Sequence, residues 1–177
     1  MEKHTLEVLI NYNEIIERVK LLGETITKDF KGEELLVVGV LKGAWIFMAD
    51  LVRYIDLSME ISFVSVSSYS GARTTSSGVV RLLCDVDRPV EKRNVILVED
   101  IIDTGLTINY LKKLLSVRSP NTLKICSLLD KPSRRLTDIV PDYCGFSIPD
   151  EFVVGYGLDY NGYYRNLKDI SILKIDK

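Results

Sequence analysis

Histidine is almost missing from this chain: 177 residues contain one, His4, and cysteine is scarce at three. Cys84, Cys126 and Cys144 are odd in number and far apart. They form no C-x-x-C pair and no metal-like spacing with His4, so both a disulfide framework and a structural zinc site are excluded. They are expected to be buried thiols in a reducing cytoplasm. An excess of charge is also lacking, with 23 Lys and Arg against 25 Asp and Glu and a formal net charge of -2. Nothing global therefore attracts nucleic acid or an acidic membrane surface, and any anion must be held by local geometry. No apolar run is long enough to cross a bilayer, and the opening MEKHTLEVLINYNEIIERVK has no apolar leader core. Internal repeats, low-complexity tracts and linkers are missing too. At this length, with 46% hydrophobic residues, one domain over 1–177 and a cytoplasmic location are expected.

What the chain does have is alternation. Short β-branched runs take turns with segments of helical period, which is the pattern of parallel α/β architecture. Ile15, Ile16, Val19, Leu22, Ile26 and Phe30 make a helical stripe from Asn13 to about Phe30, with Asn13 available as its cap. Leu35–Leu41 reads as a buried strand. A helix from about Ala44 to Ile55 then places Trp45, Met48, Val52 and Ile55 on one apolar side. Glu60–Ser67 is a second strand. The Ser, Thr and Gly of Ser68–Gly78 cannot bury much surface, so this segment is expected to be a mobile lid. Val79–Cys84 is extended, a turn follows at Asp87-Arg88-Pro89, and further strands are expected up to Val98, at Thr122–Leu129 and at Ile170–Ile175.

The most informative stretch is Asn94-Val95-Ile96-Leu97-Val98-Glu99-Asp100-Ile101-Ile102-Asp103-Thr104-Gly105-Leu106-Thr107. Val95 to Val98 reads as a strand covered on both faces, and ligands of parallel sheets gather where such strands end. Glu99 and Asp100 stand at that end. Thr104, Gly105 and Thr107 then suit a tight loop into a helix beginning near Ile108, whose free N–H groups favour a phosphate. Acids beside an anion cradle need something else to face: sugar hydroxyls and Mg²⁺ are the natural candidates. The site reads as a ribose-phosphate binder. Asp-Thr-Gly is also the triplet of aspartic proteases, but those carry it in an all-β fold, and here a helix follows.

The stretch Val95 to Thr107 resembles the phosphoribosyl pyrophosphate signature of type I phosphoribosyltransferases, and its Val-Glu-Asp-Ile-Ile-Asp-Thr-Gly spelling is similar to that of the hypoxanthine-guanine members. Four further matches lie in the same order. They are Val40-Leu41-Lys42-Gly43-Ala44, Ser67-Ser68-Tyr69-Ser70-Gly71, Leu128-Leu129-Asp130-Lys131, and Phe152-Val153-Val154-Gly155-Tyr156-Gly157-Leu158-Asp159-Tyr160-Asn161. The resemblance implies a central, mostly parallel, Rossmann-like sheet flanked by helices, with a small hood built from terminal segments. It also implies a homodimer or homotetramer.

For the site, the resemblance implies that Lys42 and Gly43 cradle pyrophosphate beside a Leu41-Lys42 peptide often cis in the family. Tyr69 would lead the lid, and Glu99 and Asp100 would orient the ribose hydroxyls directly or through Mg²⁺. Thr104, Gly105, Leu106 and Thr107 would hold the 5-phosphate. Leu106 stands where relatives often carry a polar or basic residue, which leaves that contact to the backbone. Lys131 would select a 6-oxopurine, Phe152 would stack on it and the Val153 backbone would meet the ring edge. Asp159 would serve a second Mg²⁺ and Arg165 would clamp pyrophosphate. The implied reaction transfers phosphoribose from phosphoribosyl pyrophosphate to hypoxanthine or guanine, giving IMP or GMP and pyrophosphate, with Asp103 as general base at purine N7. Read without the resemblance, Asp103 is equally a helix-capping acid, Lys131 a solvated lysine, and Asp159 with Arg165 a surface pair. A regulator that senses phosphoribosyl pyrophosphate and binds nucleic acid is the alternative from another class; it calls for a basic face or an added winged helix, and neither is in the sequence.

Overall fold

The computed structural model describes residues 4–68 and 80–175. Six strands form the main sheet: β2 (Leu35–Leu41), β3 (Met59–Ser68), β4 (Val80–Cys84), β5 (Asn94–Ile102), β6 (Thr122–Asp130) and β7 (Tyr143–Ser147). Their order is β4-β3-β2-β5-β6-β7, parallel throughout except for the antiparallel β3/β4 pair. The chain passes from β2 outward to β3 and then returns to place β5 on the other side of β2. The gap between the carboxyl ends of β2 and β5 is thus the switch point at which such sheets bind ligands.

The strands alternate because both faces are covered. Val37, Ile96, Val98 and Cys126 pack with helices α1 (Tyr12–Asp29) and α2 (Trp45–Leu51), while Leu36, Val38, Leu97 and Ile125 pack with α3 (Leu106–Ser116). A second sheet of β1 (His4–Ile10), β9 (Ile170–Ile175) and β8 (Val153–Val154) is antiparallel and joins the two ends of the chain. It forms the expected hood. Among the described residues no helix is long and apolar enough to cross a membrane.

Several local expectations are corrected. Helix α1 starts two residues earlier than expected, because Asn11 and Glu14 form a capping box: Asn11 Oδ1 accepts from the Glu14 N–H at 3.1 Å and Glu14 Oε2 from the Asn11 N–H at 3.0 Å. Asn13 is inside the helix. Helix α2 is short, continuing as a 3-10 turn over Val52–Tyr54, and its inner side is Phe47, Met48 and Leu51. Trp45 is 49% exposed, so it leaves the predicted apolar side. Cys126 is buried as expected, but Cys84 is exposed and Cys144 half-buried. Strands β1, β7 and β8 are additions to the expected set: four of the seven β1 residues are exposed and β8 has only two. The segment from 69 to 79, with Tyr69 and most of the expected lid, lies outside the described residues.

Candidate active site

Strand β5 continues past Val98 to Ile102, so Glu99 and Asp100 lie within it instead of following it. Each is 9% exposed. Up to Val98 even-numbered residues face α1 and α2; beyond the two acids Ile101 packs on that side and Ile102 on the other. The alternation changes phase across Glu99-Asp100, and the two buried carboxyls are close enough for each to perturb the other. Burial, reinforced by the neighbouring Asp100, pushes the Glu99 carboxyl well above the ordinary range. Asp100 is raised by burial too, opposed by its interaction with Glu99, the Ile101 N–H at 2.8 Å and the charge of Arg165. Glu99 Oε2 is buried with no hydrogen-bond partner among the described residues.

Gly43, at the turn from β2 into α2, is what lets Asp100 sit there. A Cβ at Gly43 would stand 1.6 Å from Asp100 Oδ2. The Gly43 carbonyl in turn fills the space a Cβ on Gly157 would need. Gly157 O accepts from Arg165 Nη1 at 2.6 Å, and Arg165 Nη2 pairs with Asp159 Oδ1 at 2.6 Å. Asp159 Oδ2 also accepts the Gly162 N–H at 2.7 Å. One contact chain therefore gathers Asp100, Gly43, Gly157, Arg165 and Asp159. Lys42 is exposed beside it, and the Leu41-Lys42 peptide is cis.

The second half of the site follows β5. A cavity of about 220 Å³ is lined by Glu99, Asp100, Asp103, Thr104, Gly105 and Thr107, among others. Gly105, at φ 81°, caps α3 with no side-chain hydrogen bond to the helix, which starts at Leu106 and not at Ile108. Its first-turn N–H groups are open to an anion apart from a long 3.4 Å contact from the Leu106 N–H to Thr104 Oγ1. Capping by Asp103 is overturned as well: its Oδ1 accepts from Arg134 Nε at 3.2 Å. A larger hollow of about 730 Å³ runs along α3 beside Lys112, Lys113 and Asp138, away from Glu99, Asp100 and Asp103.

Lys131 is buried directly after β6, with its N–H bonded to Ile102 O at 2.9 Å. Phe152 and Val153, indistinguishable as core residues by sequence, separate: Val153 is buried in β8, whereas Phe152 is 52% exposed with Tyr160 edge-on at 5.7 Å. Asp150, between β7 and β8, pairs with Arg134 at 3.6 Å. Sequence reasoning missed Arg134 and Arg135. Two adjacent guanidinium groups so close behind a strand end were the available signal.

A model of the phosphoribosyl transferase domain matches residues 5–161. The chain belongs to the phosphoribosyl transferase family. Among relatives of this phosphoribosyltransferase, the hypoxanthine-guanine phosphoribosyltransferase of Lactococcus lactis is 51% identical over 174 residues, covering 98% of this chain and 94% of that one. That of Bacillus subtilis is 51% identical over 175 residues, covering 98% and 97%. The crystal structure of a hypoxanthine-guanine phosphoribosyltransferase from Bacillus anthracis superposes with a TM-score of 0.90 at 45% identity, covering 97% of this chain and 100% of that one.

The residues present fit a magnesium ion. Among the described residues no three His, Cys, Asp or Glu side chains converge as a cage. Mg²⁺, however, is commonly held by one or two carboxylates, completing its shell with water and substrate phosphates. Glu99 and Asp100 supply oxygen donors, one of them a buried atom with no partner among the described residues.

Proposed function

We propose that this phosphoribosyltransferase, as one domain over 1–177, converts hypoxanthine or guanine and phosphoribosyl pyrophosphate into IMP or GMP and pyrophosphate, in purine salvage. The observation that carries the reading is the buried Glu99–Asp100 pair set beside the open N-terminus of α3 in one cavity. Acids for ribose hydroxyls and N–H groups for a phosphate are then available to two parts of one substrate.

The reaction breaks the bond from ribose C1 to pyrophosphate and forms one to purine N9, with positive charge growing on the sugar. Thr104 to Thr107 hold the 5-phosphate, while Glu99 and Asp100 fix the ribose hydroxyls, so the sugar is anchored on two sides. Lys42, Gly43 and Arg165 receive the pyrophosphate as it departs. When bound, Mg²⁺ neutralises the charge of the leaving pyrophosphate; Glu99 and Asp100 would hold it, with Asp159 serving a second ion. Asp103 takes the proton from N7. Lys131 donates to the 6-oxo group and so disfavours adenine, Phe152 stacks on the ring and the Val153 backbone meets its edge.

The assembly is a homodimer or homotetramer, as the family resemblance implies. Free cysteines support the reducing cytoplasm as its location. No nucleic-acid or membrane partner is proposed, since the net charge is -2. Thermal unfolding with phosphoribosyl pyrophosphate, with and without Mg²⁺, tests the reading: a rise in Tm that requires the ion supports it, and no rise in either condition contradicts it.

A further inference from the structure

The segment after β6 wraps the loop that follows β5 with a regularity the proposed reaction does not by itself require. Three successive carbonyls, the last of β5 and the first two of the loop, are all bonded to this strap. Ile102 O accepts the Lys131 N–H at 2.9 Å, Asp103 O accepts Arg135 Nε at 3.2 Å, and Thr104 O accepts the Leu136 N–H at 2.9 Å. Arg135 stands at the centre. Its other guanidinium nitrogens donate to Ile139 O and to a carboxylate oxygen of Asp130, and its Cδ lies 2.9 Å from where a Cβ on Gly105 would be.

In a planar trans peptide the C=O and the following N–H point in opposite directions. Drawing the carbonyls of 102, 103 and 104 to the strap therefore turns the N–H groups of Asp103, Thr104 and Gly105 to the other side. Successive N–H groups on one side make a nest for an anion, and the cavity lies along these same residues. In a free loop each peptide plane could rotate, and solvent would compete for every group.

We propose that Arg135 is a positioning residue that, with the Leu136 N–H, sets the peptide planes of 102–105 so that the loop is prearranged for the 5-phosphate. This rests on the phosphate-binding reading of that loop. The Arg135 guanidinium is taken up by protein groups, Asp103 O, Ile139 O and Asp130. A lysine at 135 keeps the charge facing Asp130 but has one nitrogen, and cannot reach the loop carbonyl and Asp130 together.

The test is calorimetric binding of IMP and inosine, which differ only in the phosphate, to wild type, Arg135→Lys and Leu136→Pro. Leu136→Pro removes the N–H to Thr104 O without loss of core, because Leu136 is 69% exposed, and the preceding Arg135 already has ψ 128°, which proline accepts. Both variants should lose at least tenfold in IMP affinity and less than twofold in inosine affinity. Either variant keeping wild-type IMP affinity, or both weakening IMP and inosine by equal factors, would overturn the proposal. If wild type itself binds IMP no better than inosine, the phosphate-binding reading of the loop fails first, which separates the two failures.

Discussion

Replacing Gly43 by alanine should be among the most damaging single-methyl changes available in this protein. The methyl carbon would stand 1.6 Å from Asp100 Oδ2 and 2.4 Å from its Cγ. Non-bonded carbon and oxygen approach to about 3.3 Å, so the carboxylate must retreat by about 1.7 Å (3.3 − 1.6). A misplacement of about 1 Å in a reacting site costs on the order of 100-fold. kcat/KM should therefore fall at least about 100-fold, or roughly 2.7 kcal/mol of transition-state stabilisation. The backbone at Gly43 is outside the left-handed region, so alanine meets no conformational penalty there and the variant should stay folded. Steady-state kinetics with saturating phosphoribosyl pyrophosphate provides the assay, with Asp100→Ala as the control background. There the clash is gone, so Gly43→Ala should add almost nothing to the loss from Asp100→Ala. A Gly43→Ala enzyme within twofold of wild type, or full additivity in the double variant, would refute the reasoning.

Asp103→Asn should lower kcat by about 10²–10⁴-fold with little change in the KM for phosphoribosyl pyrophosphate, since Gly105 and not Asp103 caps α3. Glu99→Gln should raise the Tm of the ligand-free protein while lowering turnover. Folding raises the Glu99 pKa above its ordinary 4.5, so stability is greatest below pH 4.5 and is lost as pH climbs through the elevated value. The amide removes that loss, so the Tm advantage should grow from pH 4 to pH 8 in calorimetric scans, by about 2–4 °C for each kcal/mol relieved. Asn11→Ala breaks the capping box and should cost about 1 kcal/mol, read as a lower urea midpoint with unchanged KM values.

Much of the architecture was legible because both faces of the main sheet are covered. Covered strands such as Leu35–Leu41 and Val95–Val98 must be apolar throughout, and that leaves a plain trace in sequence. In the hood only β9 left one: β1 is an edge strand with most of its side chains in solvent, and β8 is held by pairing with β9 instead of by its own composition. Within the site, the residue types that bind anions and acids showed at once in Glu99 to Thr107. What did not show was long-range support. Gly43 against Asp100, and Arg134 and Arg135 against Asp103, join residues 31 to 57 positions apart, and no local pattern encodes which distant side chain fills the space a glycine leaves. The cap of α1 was misplaced by two residues because Asn11 and Asn13 are equivalent by composition; only Glu14, three residues after Asn11, distinguishes them.

The most direct test of the central claim is nucleotide formation by the purified protein from phosphoribosyl pyrophosphate and a panel of hypoxanthine, guanine, xanthine, adenine and uracil, with and without a Mg²⁺ chelator. The account predicts turnover of hypoxanthine or guanine that vanishes on chelation, with adenine and uracil inert. Binding of phosphoribosyl pyrophosphate without turnover of any base, or turnover of adenine or uracil in preference to the 6-oxopurines, would contradict it.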